Sequence, residues 1–127
     1  MSNKNQPAVA DALNALLADS FALYLKTKNY HWHVKGPSFR SLHLLFDEQA
    51  AQILATTDLI AERVRKNGAA TLRSIGDISR RQSIKDDDAA SVDAETMVRN
   101  LAADNETLLA QLKDAKTAAE ADGDIAT

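Results

Sequence analysis

Apolar residues recur at helical spacing over most of this chain, in three long segments separated by residues that stop helices. From Ala8 to Lys35 the repeat runs through Val9, Leu13, Leu16, Leu17, Phe21 and Tyr24, one face of a 3.6-residue period. Gly36 is a natural residue for leaving a helix and Pro37 cannot continue one, so the first helix is expected to end there. Ser38 suits the N-cap of a second helix running to Asn67–Gly68. Residues 69–90 are mixed: "TLRSIGDISR" predicts a short helix within a long connection, and "KDDDAAS" reads as a solvated loop. A third long helix runs from Val92 or Asp93 to Ala121, with Met97, Leu101, Leu108 and Leu112 on one stripe and Gly123 as its stop. Asp124 then looks like the N-cap of a fourth helix, but the sequence ends at Thr127. The expectation is an all-α, up-down bundle with its fourth helix missing or truncated, forming one domain over 1–127 with a flexible polar tail at 1–7.

Composition narrows the function classes. A length of 127 residues suits one core. No apolar run is read as long enough to span a membrane, and no signal-peptide pattern is read, so no membrane partner is expected. The absence of cysteine excludes disulfides and thiolate chemistry and is compatible with a cytoplasm. With a net charge of −3 and a pI near 5.5, general affinity for phosphate backbones is not indicated.

The candidate chemistry sits at the first helix–turn–helix corner, in "NYHWHVKGPSFRSLHLLFDEQAAQILATTDLIAERV", which holds all 3 histidines and the single tryptophan. His31 is in register with Leu13, Leu17, Ser20, Tyr24 and Thr27, on an inward face. Pro37 is the midpoint between His31 and His43, so antiparallel helices folding about that turn bring both histidines to the same height. His33 points about 200° away from His31. On the second helix Leu42, Leu45, Phe46, Ile53 and Ile60 form the expected core stripe. About 100° from it run His43, Asp47, Ala50, Ala51, Leu54, Asp58 and Glu62. His43/Asp47 and Asp58/Glu62 are each i, i+4 pairs on that face.

The two pairs are separated by eleven residues of helix, about 16 Å of axis, whereas metal–ligand bonds are about 2 Å. One chain cannot close such a site. A second copy, antiparallel about a two-fold axis near Gln52–Ile53, brings the His43/Asp47 end of one chain to the Asp58/Glu62 end of the other, and "AAQILA" allows close approach. The expected ligand set is His31, His43 and Asp47 from one chain with Asp58 and Glu62 from the other. Mixed imidazole and carboxylate donors suit iron better than calcium or a structural zinc site. The Glu-x-x-His motif of the common di-iron bundle is absent.

The H-x11-H-x3-D-x10-D-x3-E spacing within this stretch closely resembles that of Dps, the DNA-protecting mini-ferritins of starved bacterial cells, and the resemblance covers nearly the whole chain. It implies a ferritin-like four-helix bundle and a ferroxidase centre between two-fold-related subunits, with iron (Fe2+/Fe3+) ligands at His31, His43, Asp47, Asp58 and Glu62. It further implies a hollow dodecamer that oxidises Fe(II), preferentially with hydrogen peroxide, and stores ferric mineral. The location it implies is the bacterial cytoplasm, with nucleoid association where DNA is bound. Family chains continue past the motif matching "GDIAT" through a full fourth helix.

Other residues carry competing readings. Trp32 is either a packing residue or a catalytic, redox-active neighbour of the metal. His33 reads as a surface histidine or part of an outer hydrogen-bond network. Glu48 reads as a solvated or lumen-facing acid, with mineral nucleation as its functional alternative. Asp122 and Asp124 are loop and cap residues or, by resemblance, acids of an iron-entry pore. DNA compaction is the alternative function; the tail carries only Lys4, so DNA binding is expected to be weak or absent. A metal-free structural helical oligomer is the third reading.

Overall fold

The computed structural model describes residues 6–121, and the helices fall close to where the local stop signals put them. They are α1 (Gln6–His33), α2 (Phe39–Lys66), α3 (Ile75–Arg81) and α4 (Ala94–Ala121), with no strand among the described residues. The ferritin-like helical class expected from the sequence holds. The three long helices have 28 residues each, and α3, with 7, is the short helix of the connection. The loose tail expected at 1–7 overlaps the start of α1, and the expected cap at Asp124 lies outside the described residues. Gly36 and Gly68 both adopt positive φ, +100° and +83°, the left-handed conformation that closes a helix at little steric cost. Asp93 caps α4 by accepting the Thr96 N–H at 2.8 Å. Ser38 stands at the α2 N-cap, but its side chain makes no capping hydrogen bond.

Helix α1 is the hub. It packs along α2, α4 and α3, whereas no pairing of comparable extent joins α2 to α4. One core cluster gathers Leu23, Tyr30 and Val34 of the α1 end with Phe46, Met97 and Leu101. A second, at the other end, joins Val9 and Leu13 to Val64, Ala115 and Ala119. Both α2 and α4 therefore run antiparallel to α1. Within Ala8–His33 an 18-residue window reaches a mean hydropathy of 1.3, enough by length and composition alone to cross a membrane, where no such run was read from the sequence. The bundle accounts for this character, because α1 is covered from several sides.

That central position also buries polar groups, and the 67–93 connection answers them. The Asp19 carboxylate, fully buried, accepts from the Ser83 N–H (2.8 Å) and Oγ (2.6 Å), the Ile84 N–H (2.9 Å) and Gln111 Nε2 (2.5 Å). Asn14 donates to the Ala70 carbonyl and accepts from Thr71. Lys26 pairs with Asp104 and donates to the Lys85 carbonyl, both at 2.8 Å. The Tyr30 hydroxyl donates to Asp87 Oδ2 at 2.5 Å, and burial together with that carboxylate pushes its pKa up to about 12. "KDDDAAS" is thus only partly a free loop, since Asp87 is tied to α1.

Three stripe assignments change. Leu45 and Leu112 are exposed, although each was expected in the core, and Ala50 is fully buried rather than on the metal-binding face. The buried line of α2 is Phe46, Ala50, Thr57 and Val64. It is narrow because α2 packs chiefly on α1.

Replacing Asp19 by Ala removes the acceptor of two backbone N–H groups and should cost at least about 2 kcal/mol, since each buried donor left unpaired costs about 1–3 kcal/mol. Urea denaturation measures the loss, and limited proteolysis should show new cleavage near Ser83. A loss below about 1 kcal/mol would mean the connection is held by other contacts.

Candidate metal centre

The corner between α1 and α2 is built from carbonyls that a helix end leaves unpaired. The last carbonyls of a helix have no partner four residues on. At the end of α1 the Val34 N–H reaches the Tyr30 carbonyl (2.9 Å), while the His31 carbonyl is met by Nδ1 of His43 at 2.8 Å. The bond is reciprocated: His31 Nδ1 lies 2.6 Å from the His43 carbonyl. A carbonyl can only accept, so both Nδ1 atoms carry a proton. In each neutral ring Nε2 is then left with its lone pair, the state a metal-binding histidine requires. The rings stack at 3.9 Å and 17°, and Phe39, one turn before His43, stacks on that ring at 5.0 Å.

Asp47 approaches His31 on this chain. Its Oδ1 lies 3.8 Å from His31 Nε2, roughly the sum of two metal–ligand bonds of about 2 Å. The same oxygen accepts a hydrogen bond from Lys28 Nζ at 2.8 Å. That bond, reinforced by the ammonium charge, holds the Asp47 carboxyl below the usual carboxylate range. Lys28 also sits 5.7 Å above the centre of the Trp32 ring.

Asp58 and Glu62 lie exposed farther along α2. Between the two polar pairs the face presents Ala51, Leu54 and Ala55 to solvent, with Leu44 and Leu59 at its margins. Among the described residues of one chain, no three His, Asp or Glu side chains converge into a group that could hold a metal ion. His31 meets His43 at the corner and lies 3.8 Å from Asp47, without the three forming a closed group, and Asp58 and Glu62 are not brought to it.

The remaining candidates are placed as follows. Trp32 is exposed rather than packed in the core. His33 is exposed and donates from Nδ1 to Asn29 at 2.8 Å, the local hydrogen-bond arrangement anticipated as one of its readings. Glu48 is exposed, and Asp122 and Asp124 lie outside the described residues. Lys28 and Phe39 were missed in the sequence. The available signal was helical spacing, Lys28 one turn before His31 and Trp32, Phe39 one turn before His43.

A helical bundle with an imidazole–carboxylate corner and a small-residue helix face belongs to a known structural class. The ferritin-like domain family matches residues 10–127. The DNA protection during starvation protein of Brevibacillus brevis is 34% identical over 127 residues, all of this chain and 85% of that protein. A low temperature-induced protein of Nostoc sp. is 39% identical over 114 residues, covering 90% of this chain but only 64% of that relative's length. A crystal structure of Dps from Vibrio cholerae O1, described as a member of a broad superfamily of ferritin-like diiron-carboxylate proteins, has a TM-score of 0.90 at 30% identity, over 96% of this chain and 76% of that one. The chain belongs to the ferritin-like domain family and, within it, to the Dps proteins.

The reciprocal bonds make a spectroscopic prediction. Long-range 1H–15N correlation at neutral pH should show the rings of His31 and His43 protonated at Nδ1 and bare at Nε2. Protons found on Nε2 would mean that these nitrogens are not available as ligands.

Proposed function

We propose that this protein binds Fe(II), oxidises it and stores the ferric product, at sites completed by a second copy of the chain. The observation that carries this reading is the reciprocal His31/His43 pairing, which leaves both Nε2 lone pairs unused, that of His31 3.8 Å from Asp47, while Asp58 and Glu62 stand on the same helix, too far along it for one chain to use. The apolar face between them fits an antiparallel α2 partner, and a two-fold pairing yields two equal sites. The likeness to a protein described as a diiron-carboxylate family member supports iron as the substrate.

In this reading His31 Nε2, His43 Nε2 and the Asp47 carboxylate hold iron from one side, and Asp58 and Glu62 of the second copy from the other. The anionic carboxylates favour Fe(III) over Fe(II) and so favour the oxidised product. Hydrogen peroxide serves as oxidant: two Fe(II) each give one electron, and one peroxide becomes two hydroxide ions. The paired transfer avoids release of hydroxyl radical and limits oxidative damage to DNA in a bacterial cytoplasm. In this reading Trp32, exposed and next to His31 in the chain, takes a stray oxidising equivalent. The chain acts as a homo-oligomer, a two-fold dimer within a dodecameric shell as in the family it resembles.

The shared site is tested by complementation. A His31→Ala/His43→Ala variant and an Asp58→Ala/Glu62→Ala variant should each lose rapid Fe(II) oxidation. Co-expressed, they should form about half mixed dimers, each with one intact site of two, and recover roughly a quarter of wild-type activity. No recovery from mixed dimers shown to be folded by circular dichroism would sink the two-chain site.

DNA binding is expected to be weak at physiological salt. The net charge is −3, and the first seven residues carry a single lysine, Lys4, to neutralise phosphates. A gel shift showing a tight complex that dissolves steeply with added salt would overturn this.

A further inference from the structure

The Asp47 oxygen that faces His31 Nε2 is already in use. Its Oδ1 is 2.8 Å from Lys28 Nζ and 3.8 Å from that nitrogen, so a metal joining His31 to Asp47 competes with the ammonium for one atom. Lys28 is on α1, three residues before His31, and its side chain is mostly covered while Asp47 is about half exposed (21% against 53%). The lysine is therefore held by its surroundings as well as by the carboxylate. A second resting place is at hand, since its ammonium already lies 5.7 Å from the centre of the Trp32 ring, within cation–π range.

We infer that Lys28 is an internal placeholder cation: it neutralises Asp47 while the site is empty and is displaced from Oδ1, toward the Trp32 face, when a divalent metal binds. This rests on the reading of the corner as a metal site and adds a residue that sets its affinity. A placeholder weakens binding of metal, because each metal ion must break the Lys28–Asp47 bond and lodge beside a retained positive charge. A lysine that merely aimed Asp47 at the metal would have the opposite effect on affinity.

The two roles separate in a redox-silent measurement. Zn(II) is titrated by calorimetry into the assembled protein and into the Lys28→Met, Lys28→Arg, Asp47→Asn and Lys28→Met/Asp47→Asn variants, each checked for helix content. Lys28→Met should bind Zn(II) about fivefold tighter than wild type, the ratio matching the upper end for release of an exposed ion pair. Lys28→Arg, which keeps the charge, should bind no tighter than wild type. The tightening should vanish in the Asp47→Asn background, because the competition acts through that carboxylate. Equal or weaker binding by folded Lys28→Met would overturn the placeholder while leaving the metal site standing. Should wild type and every variant fail to take up Zn(II), the metal site and the placeholder would fall together. Lys28→Gln, less apolar than methionine, serves as the second neutral variant and must tighten binding likewise.

Discussion

Helix α1 is largely apolar, yet within it Asn14, Asp19, Lys26 and Thr27 are buried, and a buried polar group without a partner costs about 1–3 kcal/mol. Much of the remaining architecture follows from satisfying them. Thr27 is answered within the helix, by the Leu23 carbonyl at 2.7 Å. The others need partners from elsewhere in the chain. The 67–93 connection is laid along α1 so that its own backbone groups, which would otherwise need water, meet these side chains instead. Asp19 alone ties two consecutive N–H groups, a serine hydroxyl and Gln111 of α4 to one carboxylate. The connection then fixes where α4 begins, and α4 returns antiparallel along the same hub.

The same accounting produces the chemistry at the corner. A helix end must dispose of unpaired carbonyls, and an imidazole must dispose of one N–H. Here each group answers the other across two helices, and the by-product is a pair of Nε2 lone pairs on the outer side. The hydrogen bonds that close the corner are also those that select the tautomer.

Helix α2 serves two environments. One line, Phe46, Ala50, Thr57 and Val64, is sealed against α1, while the neighbouring face leaves Leu54 with Ala51 and Ala55 open between two polar pairs. Small and apolar residues flanked by polar pairs at both ends are a pattern that a self-complementary contact can cover. Beside that face, Lys28 of α1 balances the charge of Asp47.

The sequence by itself determined the features that depend on near neighbours. Helix limits were legible because Gly36, Gly68 and Asp93 act on their own backbone. The meeting of His31 and His43 was legible because both are counted from one turn. The i, i+4 pairs on α2 were legible because a helix places such residues together without help. Tertiary structure alone decided which side of each stripe is covered. Leu45 and Leu112 share the periodicity of buried residues but are exposed, because periodicity defines a face and only a packed neighbour defines a core. It also decided the long-range polar partners, Asp19 with Ser83, Tyr30 with Asp87 and Lys28 with Asp47. Such bonds join residues far apart in sequence, and no local period encodes which charged side chain will be brought within reach of which carboxylate.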